Sequence, residues 1–287
     1  MQTQFLRIKT ADKLLLPALL YTPDTQTKKA LLHIHGMAGD FHRNSFFDFM
    51  APAFTEDGYA FFTPNNRGAD MIVDVMVDDG KPSYRRLGAT FETFEECIFD
   101  IKEAIDHLET QGFEEIVLQG HSLGAVKVAY YMAITKDKRI SKLILLSPPD
   151  MVGLAEADKN HQQAFTLSQK LVAEGKGKEL LSTMLWNAYY LCADTYLNLS
   201  TRGNPIDVFN VYDRNAPSIL KEISLPVLAV FGGKDAALIS PTEDLEILRQ
   251  KAPNASRFDT AVIPGAPHSY YNYEAKLVKE IVDWLKK

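Results

Sequence analysis

Five residues, Gly120-His121-Ser122-Leu123-Gly124, carry the strongest chemical signal in this chain. An apolar run at 115–119 precedes them, and a small-residue helical pattern at 123–134 follows. A serine on so sharp a strand-to-helix turn is driven into a strained backbone conformation, and the flanking glycines let neighbouring backbone come close. Its hydroxyl projects above the sheet at a helix N-terminus, whose free amides favour developing negative charge. That pattern makes Ser122 a candidate nucleophile for acyl transfer. Acyl transfer passes through a tetrahedral oxyanion, which needs preorganised donors. The backbone N–H of Leu123, the residue after the serine, is one candidate donor. The other comes from His35-Gly36-Met37-Ala38-Gly39, a glycine-rich exit from an earlier apolar run, where Met37 is best placed.

Such a constellation needs a scaffold, and the chain alternates strand-like and helix-like segments, the signature of an α/β sheet. Residues 5–9 and 13–21 read as an opening antiparallel pair turning at Asp12. Apolar runs at 30–35, 59–63, 115–119, 142–147, 226–231 and 257–263 suit strands buried on both faces of a parallel sheet. Helical spacing predicts helices over 92–111, 123–134, 242–251 and 274–286. Two stretches interrupt the alternation. Residues 64–91 are long for a connection, and loops of that length are usually functional or mobile. Residues 150–221 hold no core strand and read as two or three helices, roughly 157–174 and 178–192, with an exposed hinge at 174–179. The expectation is an α/β core of 1–149 and 222–287, with 150–221 a helical cap folded over the sheet end. Trp186, Tyr189, Tyr190, Tyr196 and Phe209 fall in that cap, either lining an acyl pocket or packing its own small core.

The sequence resembles the α/β-hydrolase fold family over nearly its whole length. The likeness rests on HGMAG at 35–39, NRG at 66–68, GHSLG at 120–124, GGKDAALISP at 232–241 and GAPHSYY at 265–271. It implies a mostly parallel eight-stranded sheet flanked by helices, with the cap inserted after the sixth strand. It also implies a serine nucleophile, an acid after a late strand and a histidine in a later loop, in that chain order. Here these are Ser122, Asp235 and His268. Local reasons agree. Asp235 follows the run 226–231 through Gly232-Gly233, and His268 follows 257–263 through Pro264-Gly265-Ala266-Pro267, both at the ligand-binding edge of an open α/β sheet. A histidine is suited to accept the serine proton near neutral pH and needs a buried acceptor to set its tautomer. Asp150, after the strand at 142–147, is the alternative acid, and Asp235 is preferred because GGKD is the commoner family context. RRLGATFE at 85–92 also resembles a branch that includes fungal siderophore-ester hydrolases.

The other histidines read differently. His33 and His35 read as structural, His42 as a candidate pocket residue, His121 as pointing away from Ser122, and His107 and His161 as solvated helix positions. Arg67 reads as an anchor for nearby loops. Arg85 and Arg86 are either a solvated face or a partner for a substrate carboxylate.

Composition bounds the remaining choices. The 287 residues are 46% hydrophobic and 24% charged, with net charge −6. That is ordinary for a globular protein and excludes collagen-like and disordered chains. No basic stripe suits nucleic acid. No run approaches the eighteen or so apolar residues of a membrane span, and 14–21, interrupted by Pro17, reads as a strand and not a secretory signal. Cys97 and Cys192 show no metal-ligand spacing and read as buried free thiols, which suits a cytoplasmic, reducing setting. The expected activity is a serine hydrolase that cleaves a carboxylic ester of a small-molecule acyl substrate, with no cofactor and no metal. Thioester or amide cleavage on the same residues is the first alternative. A non-catalytic ligand-binding receptor on the same fold is the second.

Overall fold

A computed structural model describes residues 1–238 and 240–287, and of Pro82 the backbone alone. The strands are β1 (Gln2–Lys9), β2 (Leu15–Thr22), β3 (Lys29–Ile34), β4 (Ala60–Pro64), β5 (Val73–Asp78), β6 (Pro82–Leu87), β7 (Glu115–His121), β8 (Ile140–Leu146), β9 (Pro226–Gly232) and β10 (Arg257–Ile263). Eight of them form one sheet in the order β1-β2-β4-β3-β7-β8-β9-β10. β1 and β2 pair antiparallel, as do β2 and β4, and every later neighbour pairing in the sheet is parallel.

The apolar runs lack alternation because both sheet faces are covered. Successive side chains of a strand point to opposite faces. Leu31, Phe61, Val117 and Ile144 therefore belong to one core cluster, while Leu32, Phe62, Leu118 and Leu143 belong to the other. The first cluster is closed by α1 (Phe47–Glu56) and α8 (Glu274–Leu285), through Phe54 and Trp284 among others. The second is closed by α2 (Cys97–Thr110), α3 (Leu123–Thr135) and α7 (Pro241–Lys251). Between β8 and β9 lie α4 (Met151–Glu156), α5 (His161–Ala173) and α6 (Ala193–Ser200).

The structure departs from the expected elements in three places. α1 lies where no helix is expected, because Pro52 inside it obscures an apolar face of Phe47, Met50, Ala51 and Phe54. The stretch 64–91 is no open loop: β5 and β6 form an antiparallel hairpin around Gly80, which adopts φ +92°. Val75 and Leu87 bury on its inner side, while Asp74 and Arg86 pair across its outer side. Valines at 73, 75 and 77 alternating with the outward-facing Asp74, Met76 and Asp78 are the signal of a half-buried strand. The helix expected over 178–192 is absent. The chain there makes isolated bridges between Leu180 and Cys192 and between Leu185 and Tyr189, and Trp186 and Asn187 sit at positive φ. A helix admits neither.

Candidate active site

Ser122 lies between the last residue of β7 and the first of α3, with φ 56° and ψ −127°. A non-glycine residue held there costs on the order of 1–3 kcal/mol, so the surroundings must impose it. The neighbouring glycines show how. A Cβ on Gly120 would overlap the carbonyl oxygen of Gly124, and one on Gly124 would overlap that of Ile34. Their absence lets the start of α3 lie directly on β7 and β3. The Ser122 N–H donates to Leu146 O at 2.9 Å, which ties the turn to β8.

Two later loops meet this turn. Asp235 follows β9, and His268 follows β10 through Gly265, at φ +80°. The loops are joined by backbone bonds, Gly233 N–H to Ile263 O and Lys234 N–H to Ala266 O, both 2.9 Å. His268 Nδ1 lies 2.8 Å from Asp235 Oδ1, and His268 Nε2 lies 2.9 Å from Ser122 Oγ. A carboxylate only accepts, so Nδ1 carries the ring proton and Nε2 accepts from the serine hydroxyl. The Asp235 side chain is fully buried, while that of His268 is about one-third exposed, at 32%. Burial pushes the Asp235 pKa up, but the His268 hydrogen bond, with the Ala237 N–H, holds it below the usual carboxylate value.

The His121 ring packs against Phe46, His268 and Tyr270, and it has a task the sequence does not disclose. Its Nε2 lies 2.8 Å from the carbonyl oxygen of His268. Burial, together with the neighbouring His268, pushes its pKa down to about 3. The neutral ring therefore donates to that carbonyl and holds the His268 main chain. Tyr270 adds a second hold, donating to Val230 O at 2.8 Å and accepting from the Ser147 hydroxyl at 2.9 Å.

Met37 and Leu123 both border the serine, and neither backbone N–H finds an acceptor among the described residues. Ser122 and His268 open into a cavity of about 310 Å³. Its walls include Met151, Leu154, Trp186 and Tyr189 from the segment between β8 and β9. Trp186 is pinned there by its N–H on Asp158 Oδ2 at 2.9 Å and its indole N–H on Leu154 O at 3.1 Å. Of the other aromatics, Tyr196 and Phe209 are buried in the core and Tyr190 is exposed.

The remaining sequence candidates sit elsewhere. Asp150 caps α4: Oδ1 accepts from Gly153 N–H at 3.0 Å and Oδ2 from Tyr212 N–H at 2.9 Å. His42 is half exposed beside Asp40 and does not line the cavity. His107 and His161 are not simply solvated. His107 packs on Phe62, and His161 Nδ1 lies 3.1 Å from the Tyr196 hydroxyl. Arg67 is fully buried and binds Asp100, Asp12 and Glu96, which makes it the loop anchor expected. Arg85 pairs with Asp12 and Glu96, and Arg86 with Asp74, so neither faces the cavity unpaired. Cys97 and Cys192 are free and buried. Among the described residues no group of three or more His, Cys, Asp or Glu side chains is arranged to hold a metal ion, and no helix is long and apolar enough to cross a membrane.

Residues 29–272 match the profile of a family described as alpha/beta hydrolase fold. No curated protein matches the chain significantly. Among solved structures, Est1E from Butyrivibrio proteoclasticus is 18% identical, with TM-score 0.66, covering 98% of this chain and 97% of that one. The alpha/beta hydrolase GrgF from Penicillium sp. sh18 is 16% identical, with TM-score 0.72 and coverage of 100% and 98%. The esterase Pf2001 from Pyrococcus furiosus is 16% identical, with TM-score 0.62 and coverage of 99% and 92%. At these identities the likeness speaks for the fold.

Proposed function

The chain belongs to the alpha/beta hydrolase fold family, and from that premise we propose that it is a serine hydrolase that cleaves carboxylic esters through an acyl-enzyme. The observation that carries this is the continuous contact from Asp235 Oδ1 through both ring nitrogens of His268 to Ser122 Oγ, at 2.8 and 2.9 Å. Ser122 Oγ attacks the ester carbonyl carbon while its proton passes to His268 Nε2. Asp235 holds the ring in the required tautomer and stabilises the imidazolium. The Met37 and Leu123 N–H groups take the developing oxyanion. Collapse of the tetrahedral species breaks the bond to the alcohol oxygen, which takes the proton from His268. Water then attacks the acyl-enzyme by the same route, and Ser122 leaves with its proton restored. An ester is favoured over an amide because an alkoxide leaves without prior protonation more readily than an amine.

Asp235 is the acid of this reading, supported by its contact with His268 and by the engagement of both Asp150 oxygens in capping. The segment 150–221 is its cap, supported by Trp186 and Tyr189 walling the cavity, with 1–149 and 222–287 the core. The cavity wall is mostly apolar and carries no charged side chain besides the reacting groups, which suits an uncharged acyl group. A reducing, cytoplasmic setting belongs to the same proposal, supported by the buried free thiols.

A fluorophosphonate probe tests the reading. Wild-type protein is expected to label and to hydrolyse p-nitrophenyl esters, and Ser122→Ala to do neither. A folded wild type that fails to label refutes the enzyme and favours a ligand-binding receptor. Faster turnover of matched thioesters or amides than of esters would reassign the substrate class.

A further inference from the structure

Two fully buried charges lie away from the reacting groups. Lys127, in the second turn of α3, and Glu92, ahead of α2, have side chains 0% and 1% exposed, with Nζ 2.6 Å from Oε2. Burying such a pair costs several kcal/mol per ion, and a well-packed apolar pair often serves stability as well or better. The rest of α3 from Leu123 to Ala133 is buried and carries no other charge. The pair therefore calls for a role beyond filling space.

Its contacts lead to the oxyanion loop. Lys127 Nζ also donates to Asn66 Oδ1 at 2.9 Å, and the Gly68 N–H donates to the same oxygen at 2.9 Å. Two donors on Oδ1 settle the amide orientation, so Nδ2 faces His35 and donates to its carbonyl oxygen at 3.1 Å. The Asn66 N–H donates to His35 Nε2 at 3.0 Å. Nε2 is thus the acceptor, and the proton sits on Nδ1, which donates to Gly36 O at 2.9 Å. The Gly39 N–H donates to Gly36 O as well, at 3.1 Å. In a planar trans peptide the next N–H points opposite to the carbonyl. Holding Gly36 O on the His35 side turns the Met37 N–H the other way, and Met37 borders the cavity beside Ser122.

We infer that Lys127, paired with Glu92, is a positioning residue for the Met37 oxyanion donor, acting through Asn66, His35 and the Gly36–Met37 peptide. This rests on the serine-hydrolase reading above. Glu92 holds the ammonium in place through the 2.6 Å contact. The ammonium fixes Asn66, and Asn66 fixes both the orientation and the tautomer of His35.

The test is the double variant Lys127→Met/Glu92→Gln, which removes both charges and leaves neither stranded. Fluorophosphonate counts the active sites, and thermal melting reports the fold. Turnover of p-nitrophenyl butyrate per labelled site is then compared with inhibition by a trifluoromethyl ketone, which forms an oxyanion on the serine. Losing a whole oxyanion donor costs roughly a hundred- to a thousandfold, so misaiming one is expected to lower kcat about tenfold or more. Ketone affinity falls by the same factor, with KM within about threefold of wild type. A merely structural role would lower the melting temperature and leave both quantities unchanged. A folded, labelled double variant within about twofold of wild type in kcat and ketone affinity overturns the inference. If the double variant does not fold, Asn66→Asp carries the comparison: it keeps an acceptor for Lys127 and replaces the donor to His35 with a second acceptor. The same thresholds apply to it. A wild type that does not label at Ser122 overturns the underlying reading instead, and the inference with it.

Discussion

Gly36→Ala places the proposed oxyanion loop under a direct steric test. Gly36 does not sit at positive φ, so alanine meets no conformational barrier there and its cost is contact alone. The added methyl would lie 2.8 Å from Ser122 Cβ, 2.9 Å from His121 O and 3.3 Å from Ser122 Oγ. Carbon atoms rest at about 3.5–4.0 Å, so one side must retreat by roughly 1 Å. Ser122 has little freedom, being locked between β7 and α3 with its N–H on Leu146 O. The 36–39 loop gives way and takes the Met37 N–H with it. A displacement of about 1 Å in a catalytic group can cost about a hundredfold, or about 2.7 kcal/mol in the barrier. The assay is kcat on p-nitrophenyl butyrate per fluorophosphonate-titrated site, with melting temperature measured alongside. The expected result is a folded protein with kcat down about a hundredfold and KM little changed. A folded Gly36→Ala protein that keeps kcat within about threefold of wild type would show that the loop takes no part in stabilising the transition state.

Asp235→Asn removes the acceptor that sets the His268 tautomer, and kcat is expected to fall by about three to four orders of magnitude. Asp150→Asn, which disturbs a helix cap, is expected to lower the melting temperature and leave kcat per site intact; the reverse pattern would make Asp150 the acid. His35 and His121 have folded pKa values of about 3, set chiefly by burial, against 6.5 when exposed. The unfolded chain therefore binds their protons first, so their contribution is complete above about pH 6.5 and is lost progressively toward pH 3. By pH 5 the loss is about 2 kcal/mol for each, which urea unfolding at pH 7 and pH 5 measures, and a flat profile over that range would contradict it. Arg67→Met strands the buried Asp100 and is expected to cost about 3–5 kcal/mol of stability, and a loss below about 1 kcal/mol would remove Arg67 as the anchor. Cys97 is buried and its thiol pKa is pushed up chiefly by that burial, so a disulfide reagent is expected to react with it only on unfolding.

The legibility of this chain differs from place to place for physical reasons. The strand runs at 30–35, 115–119 and 226–231 read correctly because a strand covered on both faces favours apolar residues at nearly every position. The hairpin over 73–87 has its signal in the valines at 73, 75 and 77, but Asp74, Asp78 and Asp79 around them resemble a solvated loop. The stretch 178–192 is rich in apolar residues without a helical stop or start, and its course is set by bonds to distant partners, such as Trp186 on Asp158. Lys127 announced itself weakly, as one cation in the run GAVKVAYYMA, but nothing in that run names Glu92 as its partner.

The sequence by itself determined the alternating α/β order, the sharp turn that holds Ser122 and the need for glycine around it. These depend on side-chain period and on sterics between near neighbours, which local residue types express. Tertiary structure alone decided which carboxylate meets His268 and which ring nitrogen holds its proton. Those outcomes join groups far apart along the chain, 146 residues in the case of His268 and Ser122. A hydrogen bond of defined length and direction between such groups exists only once the sheet has brought its strand ends to one edge.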